Sequence, residues 1–163
     1  MASLMEELLD VLSEEEQQYQ QLIALSDVKR QAIIKADIAR LGEVTVQEQD
    51  AASALLNLSN KRTRVLGDMA TVLGRDPGEV TINKMIGYLE NQPKEQEQLT
   101  KRRDSLLEAG TQMRILNRQN EELLQQALEM VEFDLTLLRS MRQAPETANY
   151  DKNAYNTGEL LGG

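Results

Sequence analysis

The side chains of this 163-residue chain that could do chemistry are its 27 carboxylates and its 18 lysines and arginines; it has no cysteine and no histidine. That absence removes disulfides, thiol nucleophiles, imidazole bases and the Glu-x-x-His helices that hold metals inside helical bundles. The carboxylates are scattered, and no phosphate-cradling glycine loop, dinucleotide fingerprint or nucleophile elbow occurs. No catalytic, cofactor-binding or metal-binding residue is therefore expected, and no enzymatic activity.

Two basic clusters, Lys61-Arg62-x-Arg64 and Lys101-Arg102-Arg103, are the groups that could meet phosphates. Each lies in a long acidic-to-neutral helical stretch of a chain whose net charge is −9. Such a surface repels nucleic acid and anionic membranes, so the clusters are expected to pair with acids on neighbouring helices. The opening Met1-Ala-Ser-Leu-Met-Glu-Glu carries acids where a secretory signal needs bases, and no apolar run is long enough to span a bilayer. The expectation is a soluble cytoplasmic protein with no nucleic-acid partner and no stable membrane insertion.

What must position any functional surface is helical. Aromatic residues make up 3%, with no tryptophan and the single phenylalanine Phe133, so the core is built from Leu, Ile, Val, Met and Ala, a palette suited to helices on helices. The pattern predicts an all-α fold: a coiled-coil-like antiparallel bundle of three long helices and one short one over residues 1–143, then a flexible C-terminal tail over 144–163.

Ser3-Leu-Met-Glu6 reads as a capping box. Met5, Leu8, Leu12, Tyr19, Leu22, Ile33 and Leu41 then keep the helical period, interrupted by Glu15, Arg30 and Asp37. The first helix is placed at 4–41, with Gly42 as its stop. Thr45-Val-Gln-Glu48 is a second capping box opening a helix at 46–73, in which Ala51, Leu58, Val65 and Val72 recur every seven residues. The alternative is one continuous helix running through 42–45. Arg75-Asp-Pro-Gly-Glu79 is turn chemistry, Thr81 can cap a short helix at 82–90, and Pro93 suits the first position of the next, placed at 94–142.

In that longest helix Arg103, Gly110, Asn117, Leu124, Val131 and Leu138 take heptad position a, and Leu99, Leu106, Met113, Asn120, Ala127, Asp134 and Met141 take d. Asn117 and Asn120, polar in the seam, are expected to fix register and neighbour choice. From Leu123 to Met141 nearly every a, d, e and g position is apolar. In an up-down-up bundle with the hairpin at 42–45, the last dozen residues of this helix outrun their neighbours. An aliphatic surface rich in Met and Leu suits a docked amphipathic partner helix. The candidate binding residues are Leu123, Leu124, Leu128, Val131, Phe133, Leu135, Leu138 and Met141.

The chain also resembles the FlgN family of flagellar type III export chaperones. The residues that carry the resemblance are Tyr19-x-x-Leu22-Ile23, Asp37-x-x-x-Leu41, Glu48, Leu58-x-x-x-Arg62-x-x-x-Leu66, the stretch Leu116-Asn117-x-x-Asn120-x-x-Leu123-Leu124-x-x-x-Leu128, and a Tyr155-x-x-Gly158 ending. The second helix departs from the family pattern at Ser59-Asn60, where an acid often precedes the arginine. The resemblance implies an ATP-independent chaperone that binds the C-terminal helical region of unassembled hook-associated (hook–filament junction) proteins. It would prevent premature assembly and deliver them to the cytoplasmic domain of the export gate, with Tyr150 and Tyr155 serving gate docking. A monomer or weak homodimer that captures one client fits this reading. A structural coiled-coil protein that self-associates, or a regulator sequestering another helical partner, are the competing classes.

Overall fold

The first two helices form a hairpin, and the chain turns where its stop signal is least conventional. In the computed structural model, which describes residues 1–149 and side chains through Arg142, α1 spans Ala2–Lys35 and α2 spans Ile38–Val72. Ala36 adopts the left-handed conformation, φ 54° and ψ 37°. Its N–H and that of Asp37 donate to the carbonyls of Ile33 and Ala32 at 3.1 and 2.9 Å, closing the end of α1. Asp37 then caps α2, its Oδ1 accepting from the Arg40 N–H at 3.0 Å. One dipeptide ends one helix and starts the next.

The hairpin is therefore real, but its turn lies at 36–37 and not at 42–45. Gly42 sits inside α2. Thr45 donates its hydroxyl back to the Leu41 carbonyl at 2.9 Å, an intrahelical bond that replaces the anticipated cap. The Ser3–Glu6 box is also unformed: α1 starts two residues earlier, at Ala2, with Met1 at its N-cap and no side-chain capping bond. A left-handed alanine costs about 1–2 kcal/mol that glycine avoids, while glycine's looser unfolded chain returns part of that gain. Ala36→Gly is accordingly expected to stabilise the hairpin by about 0.5–1 kcal/mol, read as a raised urea midpoint at unchanged slope.

α1 and α2 pair in a single antiparallel register. The ion pairs Lys29–Glu48 at 3.1 Å and Arg62–Glu15 at 2.6 Å are both centred just past the turn. The buried residues keep the same register, so Leu8 stands level with Met69, Leu12 with Val65, Ser26 with Ala51 and Ile33 with Val44. At the open end of the hairpin Leu8, Leu12, Val65 and Met69 join Met85, Leu89, Leu99 and Leu106 in one apolar core. Full burial of each such side chain contributes about 1.5–3 kcal/mol.

The connection from α2 follows the sequence reading closely. Gly74 takes φ 72° after the last turn of α2, a position only glycine occupies without strain. A single 3-10 turn, Pro77–Glu79, leads to Thr81, whose hydroxyl caps α3 (Ile82–Tyr88) by accepting from the Lys84 N–H at 3.1 Å. Arg75 lies 4.4 Å above the Tyr88 ring and ties this connection together. α4 opens with Pro93 and runs unbroken to Asn149. It continues beyond the expected end at 142, through Pro145, although an interior proline removes one intrahelical bond.

α4 lies along α1 in the same direction: Ser105 donates to Glu16 at 2.8 Å, Gly110 sits beside the Tyr19 ring, and Asn120 reaches Ser26. The chain divides into two units, Met1–Asn120 and Glu121–Gly163, so the division falls inside α4. The first unit is an all-α bundle around the core described above. The described part of the second is the α4 helix itself. No helix of the described residues is long and apolar enough to cross a membrane.

Candidate functional site

The second unit carries the apolar stretch singled out from the sequence. Leu123 and Leu124 are half-buried, whereas Leu128, Val131, Phe133, Leu135, Leu138 and Met141 are exposed, Phe133 at 63% and Leu138 at 58%. Leu128, Val131, Leu135 and Leu138 follow helical spacing down one stripe of α4. Met130, Phe133, Leu137 and Met141 form a second stripe beside it. Met130 and Leu137, at heptad position g, are also exposed and belong to this surface. Their g positions already signalled that the stripe is wider than a two-helix seam requires. An aliphatic surface of this kind, interleaved with Glu129, Glu132, Asp134, Thr136, Arg139 and Ser140, is characteristic of a protein-binding site.

The two seam asparagines separate. Asn120 is 3% exposed, and its Nδ2 donates to the Ser26 carbonyl of α1 at 2.9 Å. A buried amide finds this partner at one axial offset of α4 against α1. Asn117 is exposed and makes no such bond among the described residues. Tyr150 and Tyr155 lie outside the described residues, as does most of the segment 144–163.

One buried charge was visible in the sequence only as an interruption. Glu15, set where the α1 stripe should be apolar, is 3% exposed and accepts from Arg62 Nη1 at 2.6 Å, while Arg62 Nη2 reaches Ser59 Oγ at 3.3 Å. Its second oxygen, Oε1, has no hydrogen-bond partner among the described residues. Burial pushes the Glu15 carboxyl above its ordinary range, and the charge and hydrogen bond of Arg62 recover only part of that shift.

The basic clusters pair with acids less across helices than their spacing suggested. Among the described residues Arg62 alone of these bonds an acid on another helix. Lys101 pairs with Glu97 one turn earlier in α4 at 2.9 Å, and Arg103 with its neighbour Asp104 at 3.0 Å. Arg103 also donates to Asn83 at 3.0 Å. Among the described residues Lys61, Arg64 and Arg102 have no ion pair. Arg62 and Arg103 line a cleft of about 390 Å³ with Thr63, Leu66, Val80, Thr81, Ile82, Asn83, Leu106 and Leu107.

Among the described residues no cluster of three or more acids is placed to hold a metal ion. An all-α scaffold with a long open aliphatic helix surface defines a class: a helical module that holds other chains. The sequence profile of the family described as FlgN protein matches residues 1–158, and the chain belongs to the FlgN family. With that membership comes a general role as a flagellar export chaperone, in a family of chaperones and not of enzymes. No curated protein and no solved structure matches the chain significantly.

Proposed function

We propose that this chain escorts unassembled hook-associated proteins in the cytoplasm and delivers them to the cytoplasmic domain of the type III export gate. The client's C-terminal helical region lies along Leu123–Met141, in the place its own coiled-coil neighbour takes after assembly. The observation that carries this reading is the exposure of Leu128, Val131, Phe133, Leu135, Leu138 and Met141 on one helix of a family of export chaperones.

The mechanism is occlusion. An amphipathic client helix buries its apolar face against the α4 stripes, and flexible Met and Leu side chains repack around it. While that face is covered, the client cannot polymerise. No nucleotide is needed, because release follows from competition for the same face. Asn120 fixes the register of α4 against α1, and the exposed Asn117 sets the register in which the client lies. Tyr150 and Tyr155 supply the contact with the gate.

Removing residues 150–163, which leaves α4 whole, is expected to preserve a 1:1 complex with the C-terminal helical region of a hook-associated protein while stopping its secretion. Titration calorimetry checks the first outcome and a secretion assay in a flagellated host the second. Continued secretion would remove the gate-docking role. A tight homo-oligomer that never exchanges for the client would favour a structural coiled-coil protein instead.

A further inference from the structure

We propose that the cleft walled by Arg62 and Arg103 receives the acidic, leucine-bearing stretch 121–138 of a second copy of this chain, giving a weak, salt-sensitive self-association. The cleft is anomalous for its molecule. In a chain of net charge −9, its lining holds two arginines and no acid, over an apolar floor that includes Leu66, Ile82 and Leu106. Among the described residues Arg103 is bound to an exposed neighbour, Asp104, and to the neutral Asn83. Exposed pairs of this kind contribute little and exchange readily, so Arg103 can turn to an incoming carboxylate.

The complementary surface lies on the same chain. Between Glu121 and Leu138 there are five acids and no lysine or arginine. Leu128, Glu132 and Leu135 fall on one face of α4, at the i, i+4 and i+7 positions. That face presents a carboxylate between two leucines, matching an apolar floor flanked by Arg103, since Arg62 is held by the buried Glu15. Both leucines are exposed, and so is Leu107 at the mouth of the cleft. Electrostatic complementarity of this kind sets encounter rate and orientation more than affinity, which makes the contact weak and reversible. The contact rests on the cleft's charge and not on the client reading.

Sedimentation velocity on the full chain tests it. A reversible dimer is expected at about 50 mM salt, weakened about tenfold or more at about 500 mM. Arg103→Glu and Glu132→Arg should each weaken association about tenfold, whereas an equimolar mixture of the two variants should recover it to within about threefold. Recovery on mixing cannot come from misfolded chains, so the mixture guards against a variant that merely fails to fold. A chain still monomeric at about 200 µM in low salt overturns the proposal. A dimer indifferent to Arg103→Glu, or a mixture that stays monomeric, overturns it equally.

Discussion

Exchanging Arg62 for methionine should destabilise the fold by about 3 kcal/mol at neutral pH, far more than a half-exposed arginine on a helix surface would suggest. The cost arises at Glu15, which stays buried with neither oxygen bonded across the hairpin once the 2.6 Å contact is lost. The pH dependence fixes the cause. Burial already raises the folded-state pKa of Glu15 above 4.5, the value taken for the unfolded chain. Between those two values the folded state holds more protons than the unfolded state, so this group's contribution to stability falls as pH rises through the window and is most favourable below it. Removing Arg62 deletes both influences that lower the pKa, widening the window upwards. The deficit of the variant relative to the unsubstituted chain should therefore be largest near neutrality and shrink towards about pH 5. Adding Glu15→Gln should recover most of the loss. Urea unfolding of the three proteins at both pH values checks this; a deficit independent of pH would place the cost in lost packing of the arginine stem instead.

Leu135→Glu and Leu138→Glu carry the second large effect, on binding and not on folding. Both side chains are exposed, so either change should alter stability by no more than about 0.5 kcal/mol. Affinity for the C-terminal helical region of a hook-associated protein should fall about 30-fold or more, the cost of placing an unpaired carboxylate at the centre of an apolar contact. The dissociation of the two effects is the informative part. Circular dichroism melts and calorimetric titrations of the same preparations measure both. A large drop in melting temperature would mean that these leucines serve the chain's own core.

Much of the architecture was legible because it rests on patterns with one physical solution. The 3.6-residue spacing of apolar residues yields long helices, Thr81 and Pro93 open α3 and α4 as their chemistry requires, and Gly74 takes the one positive φ that favours glycine. The hairpin turn was misplaced because its strongest apparent signals, Gly42 and Thr45, are tolerated inside α2, while the actual stop uses an alanine in a conformation alanine disfavours. Asp37 was noticed as a polar interruption of the stripe, and it proves to be the cap. Glu15 was noticed in the same way and is the buried anion. Two of the three interruptions of the apolar stripe thus marked places where polar chemistry shapes the hairpin, the third, Arg30, being an exposed pair with Asp27, but spacing alone could not distinguish a cap from a buried charge. The apolar stretch at the end of α4 was visible in the sequence, whereas which of its residues stand open to solvent, Met130 and Leu137 among them, emerges only from the packing.

The cleft beside Arg103 could not have been found from sequence at all. It brings together residues of α2, the connection that follows it, the start of α3 and α4, and its lack of acids emerges only once those segments are adjacent. Lys101-Arg102-Arg103, read along the chain, is a single cluster; in the structure its three members face different surroundings, with Lys101 paired along its own helix and Arg103 turned to Asn83.

Hydrogen–deuterium exchange of the full chain, with and without the C-terminal helical region of a hook-associated protein, tests the central claim most directly. The account predicts new protection of backbone amides across 123–141, with the hairpin core around Leu8, Leu12 and Met69 unchanged. Saturating client that leaves 123–141 exchanging as in the free chain, and protects α1 or α2 instead, would contradict it.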